Sequence, residues 1–196
     1  METINTIKLP LVTVEWLNKN ADAHNLIVLD ATMNKVIDDA SIRISKARFF
    51  DIKQKFNDIS APFPNTLPSK GQFQKEAKAL GINCDSIIVV YDDKGIYSSA
   101  RAWWLFKVFG FKNIAVLDGG LREWQRQNFK VESYAVENYT RGNFKAKFHS
   151  NLMTDFNGIN EFTKDSETLI IDARSTDRFQ CKVDEPRAGL RRGTIP

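Results

Sequence analysis

The stretch that decides the fold is residues 87–104, IIVVYDDKGIYSSARAWW. Its first five residues are apolar without alternation, which is typical of a strand buried on both faces of a parallel sheet. A short loop containing Gly95 follows. Residues 100–109 then predict a helix with almost no polar face, and such a helix must pack on several sides. A buried strand, a loop and a buried helix in succession indicate an α/β fold.

The same alternation continues on both sides of this stretch. Residues 26–29 and 114–117 are further apolar runs of strand length. Thr13 caps a short helix before the first run, and Gly119-Gly120 opens another helix after the second. Because strands and helices alternate throughout, we expect a parallel sheet covered by helices on both faces.

One helix has a complete set of start and stop signals. Ser69 is a helix-capping residue, and Gln72 stands three residues later as its capping-box partner. Phe73 and Ala77 follow at helical spacing, and Gly81 marks the end. This pattern predicts a helix that begins at Ser69.

The beginning of the chain is repeated near its end. The helix start at 13–16 is similar to 154–156, and each leads into an apolar run that ends in Asp-Ala, at Asp30 and at Asp172. The offset is 172 − 30 = 142 residues, the size of one domain. We therefore expect a first domain over residues 8–130, a linker over 131–151, where no clear period is present, and the truncated start of a second, similar domain over 152–196.

The repeat also predicts the position of a second loop equivalent to the one that begins at Asp92. The loop after the second strong strand begins at Asp92, which is 92 − 30 = 62 residues beyond Asp30. The equivalent loop of a second copy should begin at roughly residue 234, by adding the same spacing to Asp172. The chain ends at Pro196, so this loop is expected to lie beyond it.

Composition excludes several classes of protein. With 42% hydrophobic and 27% charged residues, the chain has the profile of a folded domain. No apolar run approaches the ~20 residues that span a bilayer, and the amino terminus does not have the form of a secretory signal, so we expect no membrane partner and a cytoplasmic location. The net charge of +4 comes from basic residues interleaved with acids, which argues against a nucleic-acid partner and fits a pocket for small anions.

Several separated motifs resemble one family. Residues 91–104 and 116–124 resemble the first domain of the tandem-domain rhodanese and 3-mercaptopyruvate sulfurtransferases. Residues 172–174, 178–179, 184–187 and 193–196 resemble the opening of their second domain. The resemblance implies a rhodanese-like α/β fold, no metal and no organic cofactor. It also implies transfer of sulfur from a small anionic donor, thiosulfate or 3-mercaptopyruvate, through a cysteine persulfide to a thiol or to cyanide. The two cysteines of this chain have no metal-ligand spacing.

The resemblance assigns roles to individual residues. Asp92 stands where an active rhodanese domain has its cysteine, and a carboxylate cannot carry a persulfide, so the first domain is predicted to be silent. Arg178 and Arg187 match the arginines that bind the donor in the mercaptopyruvate branch, since a guanidinium fork holds a carboxylate bidentately. Tyr97 matches a tyrosine that faces the active cleft. No catalytic residue is expected in this chain, which alone should have no turnover.

Each assignment has an alternative that the sequence leaves open. Arg178 could form ordinary salt bridges with Asp177, Asp184 or Glu185, and Tyr97 could pack beside the neighbouring tryptophans. Arg174 is expected to order the loop after its strand. The whole chain could also serve as a non-catalytic binding or regulatory module.

Three residues depart from the mercaptopyruvate pattern. The first-domain Asp and His of the relay described for that branch align with Lys53 and Asn65, and neither residue can replace them. This leaves the sulfur donor undecided. Cys181 stands where a small residue is common, but its surroundings do not predict the strand-loop-helix setting that activates a thiol.

Overall fold

The fold is described from a computed structural model, which covers residues 3–38, 40–135, 137–187 and 189–194. The chain divides into two compact units, residues 1–149 and residues 150–196. Met1 and Glu2 at the amino terminus, and Ile195 and Pro196 of the stretch 193–196, lie outside the described residues.

The first unit is built on a five-stranded, all-parallel sheet with the order β1-β6-β5-β2-β4. Its strands are β1 (Leu11–Val12), β2 (Leu26–Asp30), β4 (Arg48–Phe49), β5 (Ile87–Tyr91) and β6 (Ile114–Leu117). A separate antiparallel ribbon joins β3 (Ile42–Ile44) to β7 (Val131–Ser133). The parallel α/β sheet expected from the sequence is confirmed, while the two-residue edge strands and the ribbon were not predicted.

Four helices connect the strands of the first unit. They are α1 (Val14–Asn20), α2 (Lys70–Ala79), α3 (Ser99–Val108) and α4 (Gly120–Arg126). The predicted caps are present, since Thr13 and Ser69 accept hydrogen bonds from the backbone N–H groups three residues later. The capping box is only half formed. The Gln72 amide donates to the carbonyls of Lys55 and Asn57 instead of returning to Ser69, and so ties α2 to the preceding loop.

The core lies on both faces of the sheet, as the continuous apolar strands predict. In β5, Ile88 and Val90 pack with a phenylalanine-rich cluster on one face, while Val89 and Tyr91 pack with Leu17 and other residues on the opposite face. All five β5 residues are buried. Strand β5 therefore holds the loop that follows it on a rigid base.

The segment after α4 belongs to the first unit. Residues 131–133 pair with β3, and Phe144 is buried against Phe73 and Phe111. The sequence presents this region as a linker because its buried residues are isolated among polar ones. Contacts place the division of the chain between His149 and Ser150.

The second unit contains a 3₁₀ turn (Ser150–Leu152) and the short helices α5 (Phe156–Phe162) and α6 (Thr176–Phe179). Among its described residues there is no strand, and the run expected to form one is exposed, with Ile171 78% accessible. The expectation of a second strand is therefore wrong for this chain, because 169–171 has no neighbouring strand to pair with. The start of a second rhodanese-like domain is not shown.

Two local structures nevertheless recur at the offset of 142 residues. Thr13 caps α1 by accepting from Trp16 N–H, and Asp155, at 13 + 142, caps α5 by accepting from Gly158 N–H. Asp30 Oδ1 accepts from Thr32 N–H at 2.9 Å, and the corresponding bond from Arg174 N–H to Asp172, at 30 + 142, is also 2.9 Å.

Candidate functional site

Asp92 lies at the carboxyl end of the central strand β5, the edge at which parallel α/β sheets place their binding loops. Its side chain is fully buried. Oδ1 accepts from Lys94 N–H at 2.8 Å, and Oδ2 accepts from Tyr97 N–H at 2.7 Å and from both the N–H (2.9 Å) and the hydroxyl (2.7 Å) of Ser99. The loop 92–98 is thus wrapped around the carboxylate of its own first residue.

These hydrogen bonds stabilise the ionised carboxylate. Burial alone would raise the pKa of Asp92, but the bonds from the Ser99 hydroxyl and from the backbone N–H groups of Ser99, Tyr97 and Lys94 outweigh it, so the pKa lies below its ordinary value. The converging N–H groups form an anion-binding nest of the kind that would stabilise a thiolate. In this loop the nest is already filled, and a carboxylate has no sulfur to exchange.

The predicted Gly119-Gly120 pair holds this loop from the other side. Gly120 has φ +57°, and a Cβ at this position would lie 2.4 Å from the Asp92 carbonyl oxygen and 2.9 Å from that of Gly95. The same Asp92 carbonyl accepts from Leu121 N–H at 3.0 Å. Only glycine allows the start of α4 to approach the loop so closely.

Asp30 ends the neighbouring strand β2 and is also buried. Its carboxylate accepts from Lys35 Nζ at 2.7 Å and from the hydroxyl of Tyr134, which lies 104 residues away. Burial and the charge of Asp30 raise the pKa of Tyr134 well above its ordinary value, so this hydroxyl remains a donor. Sequence reasoning missed this contact, since nothing local to Tyr134 marks it as a partner of β2.

Tyr97 lies beside a cavity of about 180 Å³ at the same edge of the sheet. The cavity is lined by Met33, Ile52, Lys53, Asn65, Tyr97, Ser98 and Arg101. Tyr97 is 56% exposed, and the Lys94 ammonium lies 4.8 Å from its ring centroid. The ring is therefore accessible to solvent rather than enclosed by the tryptophans of α3.

The two residues aligned with the family's relay contact one another. Lys53 Nζ donates to Asn65 Oδ1 at 3.0 Å, and the Arg101 guanidinium donates to the Asn65 carbonyl at 2.5 Å. The positions are thus adjacent, as a relay would require, but an ammonium and an amide cannot accept and pass on a proton as an Asp–His pair does. That no such relay operates through this pair stays a prediction.

In the second unit the two predicted arginines have different surroundings. The Arg178 guanidinium pairs with Glu185, one of the partners that the salt-bridge alternative names, and its buried Nε has no partner among the described residues. Arg187 is exposed, and its side chain forms no ion pair within the described part of the chain. Arg174 binds both Asp172 and Glu185 and orders the loop, as expected.

Among the described residues, no backbone N–H group donates to the sulfur of Cys181. Its Sγ is 3.9 Å from the carbonyl oxygen of Phe179, and its backbone has φ +58°. Cys84 is exposed beside Asn143. Among the described residues no group of three or more His, Cys, Asp or Glu side chains is placed to hold a metal ion.

The fold and the loop define an α/β domain of the kind that carries a ligand at the carboxyl edge of its sheet. The family model described as "Rhodanese-like domain" matches residues 13–127, so the chain belongs to this family. It is 35% identical to 3-mercaptopyruvate sulfurtransferase of Escherichia coli K12 over 94% of this chain and 68% of the relative. It is equally similar to the mitochondrial thiosulfate/3-mercaptopyruvate sulfurtransferase 1 of Arabidopsis thaliana, of which it spans 56%.

Solved structures are similar over nearly the whole chain. The crystal structure of SseA from Escherichia coli has a TM-score of 0.83 at 32% identity. The match covers 96% of this chain and 73% of the SseA chain. The crystal structure of Tum1 from Saccharomyces cerevisiae has a TM-score of 0.80 at 25% identity. The match covers 96% of this chain and 68% of the Tum1 chain. Among the described residues no helix is long and apolar enough to cross a membrane.

Proposed function

We propose that this chain is the amino-terminal part of a sulfurtransferase that moves sulfane sulfur from thiosulfate or 3-mercaptopyruvate to a thiophilic acceptor. The observation that carries the proposal is the extent of the similarity to the Escherichia coli 3-mercaptopyruvate sulfurtransferase, which covers 94% of the chain. A match of that length cannot be confined to the first unit, which ends at His149. It extends into the unit that contains Arg178 and Arg187.

The proposed domain organisation is a silent rhodanese-like domain over residues 8–130, a linker over 131–151 that packs against this domain as far as His149, and the start of a second domain over 152–196. The recurrence of two local structures at the 142-residue offset supports the second copy. In this proposal the nucleophilic cysteine would follow Pro196, in the loop equivalent to that of Asp92.

The chemistry would proceed in two displacements on sulfur. The cysteine thiolate attacks the outer sulfur of thiosulfate, and the sulfur–sulfur bond breaks as sulfite leaves with the electron pair. With 3-mercaptopyruvate the carbon–sulfur bond breaks, and pyruvate leaves as its enolate. A thiolate or cyanide then attacks the outer sulfur of the persulfide and regenerates the cysteine thiolate.

Three residues of this chain would serve that reaction. Arg178 and Arg187 would hold the anionic end of the donor, and the exposed Tyr97 would face it with its hydroxyl. Binding by Arg178 requires that its ion pair with Glu185 be shared or exchanged, because one edge of the guanidinium is occupied. Asp92 would take no chemical part and would keep the first loop closed.

The test is an assay of the complete reading frame that contains residues 1–196, with thiosulfate and cyanide and with 3-mercaptopyruvate and a thiol. Arg178→Gln and Arg187→Gln should each raise the KM for the donor by about tenfold or more, the loss of one charge-assisted contact. The surface variant Arg126→Gln is the matched control. Absence of a further cysteine loop, or an inactive intact protein, would defeat the proposal.

The second candidate is a non-catalytic binding or regulatory module, and the filled nest of Asp92 favours it. A module of this kind would retain its fold and a partner while transferring no sulfur. An intact protein without transfer in either assay is the result that would select it.

A further inference from the structure

The cavity beside Tyr97 has an excess of positive charge. Lys53 and Arg101 both line it, and none of its lining residues is acidic. Within the described part of the chain neither cation forms an ion pair. Asp51 and Asp92 are engaged by backbone N–H groups, and neither they nor Asp93 line the cavity.

The two cations are held in place by one residue. Asn65 accepts from Lys53 through its side-chain oxygen and from Arg101 through its carbonyl. Neither oxygen carries a formal charge, so the positive charges are oriented without being neutralised. Arg101 is also half-buried, and this burial lowers the pKa of its guanidinium.

A third polar group in the cavity lacks a partner. Ser98 is only 6% exposed, and its Oγ has no hydrogen-bond partner among the described residues. It precedes α3, but its side chain does not cap the helix. Buried hydroxyl groups are normally satisfied, so an unpaired one at a cationic cavity indicates a missing acceptor.

We propose that Lys53, Ser98 and Arg101 form a binding site for a small divalent oxyanion with a tetrahedral centre. The anion would accept from the ammonium, the hydroxyl and the guanidinium at once. At ~30 Å³ per water molecule, the cavity of about 180 Å³ has room for a five-heavy-atom anion such as sulfate, thiosulfate or phosphate. The site shares Tyr97 with the proposed donor contacts, but it lies wholly within the first unit and requires no cysteine, so anion binding here does not depend on sulfur transfer.

The test is a titration of the 196-residue chain with sulfate, thiosulfate and phosphate, followed by calorimetry and by backbone amide NMR shifts at constant ionic strength. Sodium chloride is the reference salt. We expect saturable binding of at least one divalent oxyanion, with shifts centred on Lys53, Ser98 and Ser99. The order of affinities then distinguishes a sulfur oxyanion from phosphate.

Variants identify the residues that bind. Lys53→Gln and Arg101→Gln should each weaken binding about tenfold or more, and Ser98→Ala by a few fold, because contacts from charged donors are stronger than those from a neutral hydroxyl. Lys75→Gln removes an exposed charge outside the cavity and should leave the affinity unchanged. Arg101→Lys provides a second variant at the half-buried position, with intermediate affinity expected, and thermal unfolding verifies that each variant is folded.

Three results would overturn the proposal. They are the absence of saturation with all three anions, shifts that chloride reproduces, and equal affinity in folded Lys53→Gln, Arg101→Gln and Lys75→Gln. Since none of these measurements requires turnover, they are independent of whether the complete protein transfers sulfur.

Discussion

The Ser99 hydroxyl donates to the Asp92 carboxylate at 2.7 Å, and the Ser99 N–H group donates to the same oxygen at 2.9 Å. The first turn of α3 thus binds the residue at the end of β5. The N–H groups of this loop are arranged to bind an anion such as a thiolate, and here they bind the carboxylate of Asp92. This relationship makes Asp92 a structural residue whose charge stabilises the fold.

Asp92→Asn should destabilise the first unit by about 2–4 kcal/mol at pH 7, since bonds to a charged acceptor contribute about 1.5–3 kcal/mol each and do not add fully. The pKa of Asp92 is lowered by folding, so its contribution is complete above the unfolded pKa of about 3.9 and is lost as the pH falls through the folded pKa. Urea unfolding at several pH values measures both effects. The neighbouring Asp93→Asn is the control, and an equal loss in both variants would contradict the assignment.

Gly120→Ala should lower the free energy of unfolding by more than about 2 kcal/mol. Residue 120 has a left-handed backbone conformation, and the new Cβ would collide with the Asp92 carbonyl oxygen. Gly71→Ala is the matched control, since its Cβ would meet only Ser69 Oγ at 4.0 Å. In the helix α2 it should be neutral or stabilise by about 0.5 kcal/mol. Thermal unfolding of the two variants compares them directly, and similar stability would show that α4 does not depend on this close approach.

Phe144→Ala should destabilise the first unit by about 3–5 kcal/mol, the usual cost of removing a buried phenylalanine. Phe144 is 2% exposed, whereas Phe148 is 43% exposed. Phe148→Ala should therefore cost less than half as much. Denaturant unfolding that shows no difference between them would mean that residues after 131 lie outside the folded unit in solution.

Leu29 and Ile171 would occupy equivalent positions of the proposed repeat, since 29 + 142 = 171, but only Leu29 is buried. Leu29→Ala should cost about 2–5 kcal/mol, and Ile171→Ala should change the stability of this chain by less than about 0.5 kcal/mol. A large effect of Ile171→Ala on unfolding would show that the second unit has a core that the structure lacks.

The sequence predicts the centre of the first unit better than its borders. Strands β2, β5 and β6 are recognisable as continuous apolar runs, because a strand that is buried on both faces requires apolar side chains at nearly every position. Strands β1 and β4 have two residues each, too few to form a period. The ribbon of β3 and β7 pairs residue 42 with residue 133, a contact that no local signal contains.

The candidate site, too, is only partly predictable from the sequence. The position of Asp92 follows from its strand and loop, but its four hydrogen bonds depend on the conformation of residues 94–99. The resemblance to the family matches Lys53 and Asn65 to its relay positions, but the contact between them is seen only in the structure. The cationic cavity depends on Arg101 and Ser98 meeting Lys53 from another loop, and the sequence predicts only the excess of positive charge.

The most direct measurement is intact mass spectrometry of the 196-residue chain after incubation with thiosulfate or 3-mercaptopyruvate, together with an assay of thiocyanate formed from cyanide. We expect no addition of a sulfur atom and no thiocyanate, because Asp92 fills the loop and, among the described residues, no backbone N–H group donates to the sulfur of Cys84 or Cys181. Turnover that Cys181→Ala abolishes and Cys84→Ala preserves would contradict it.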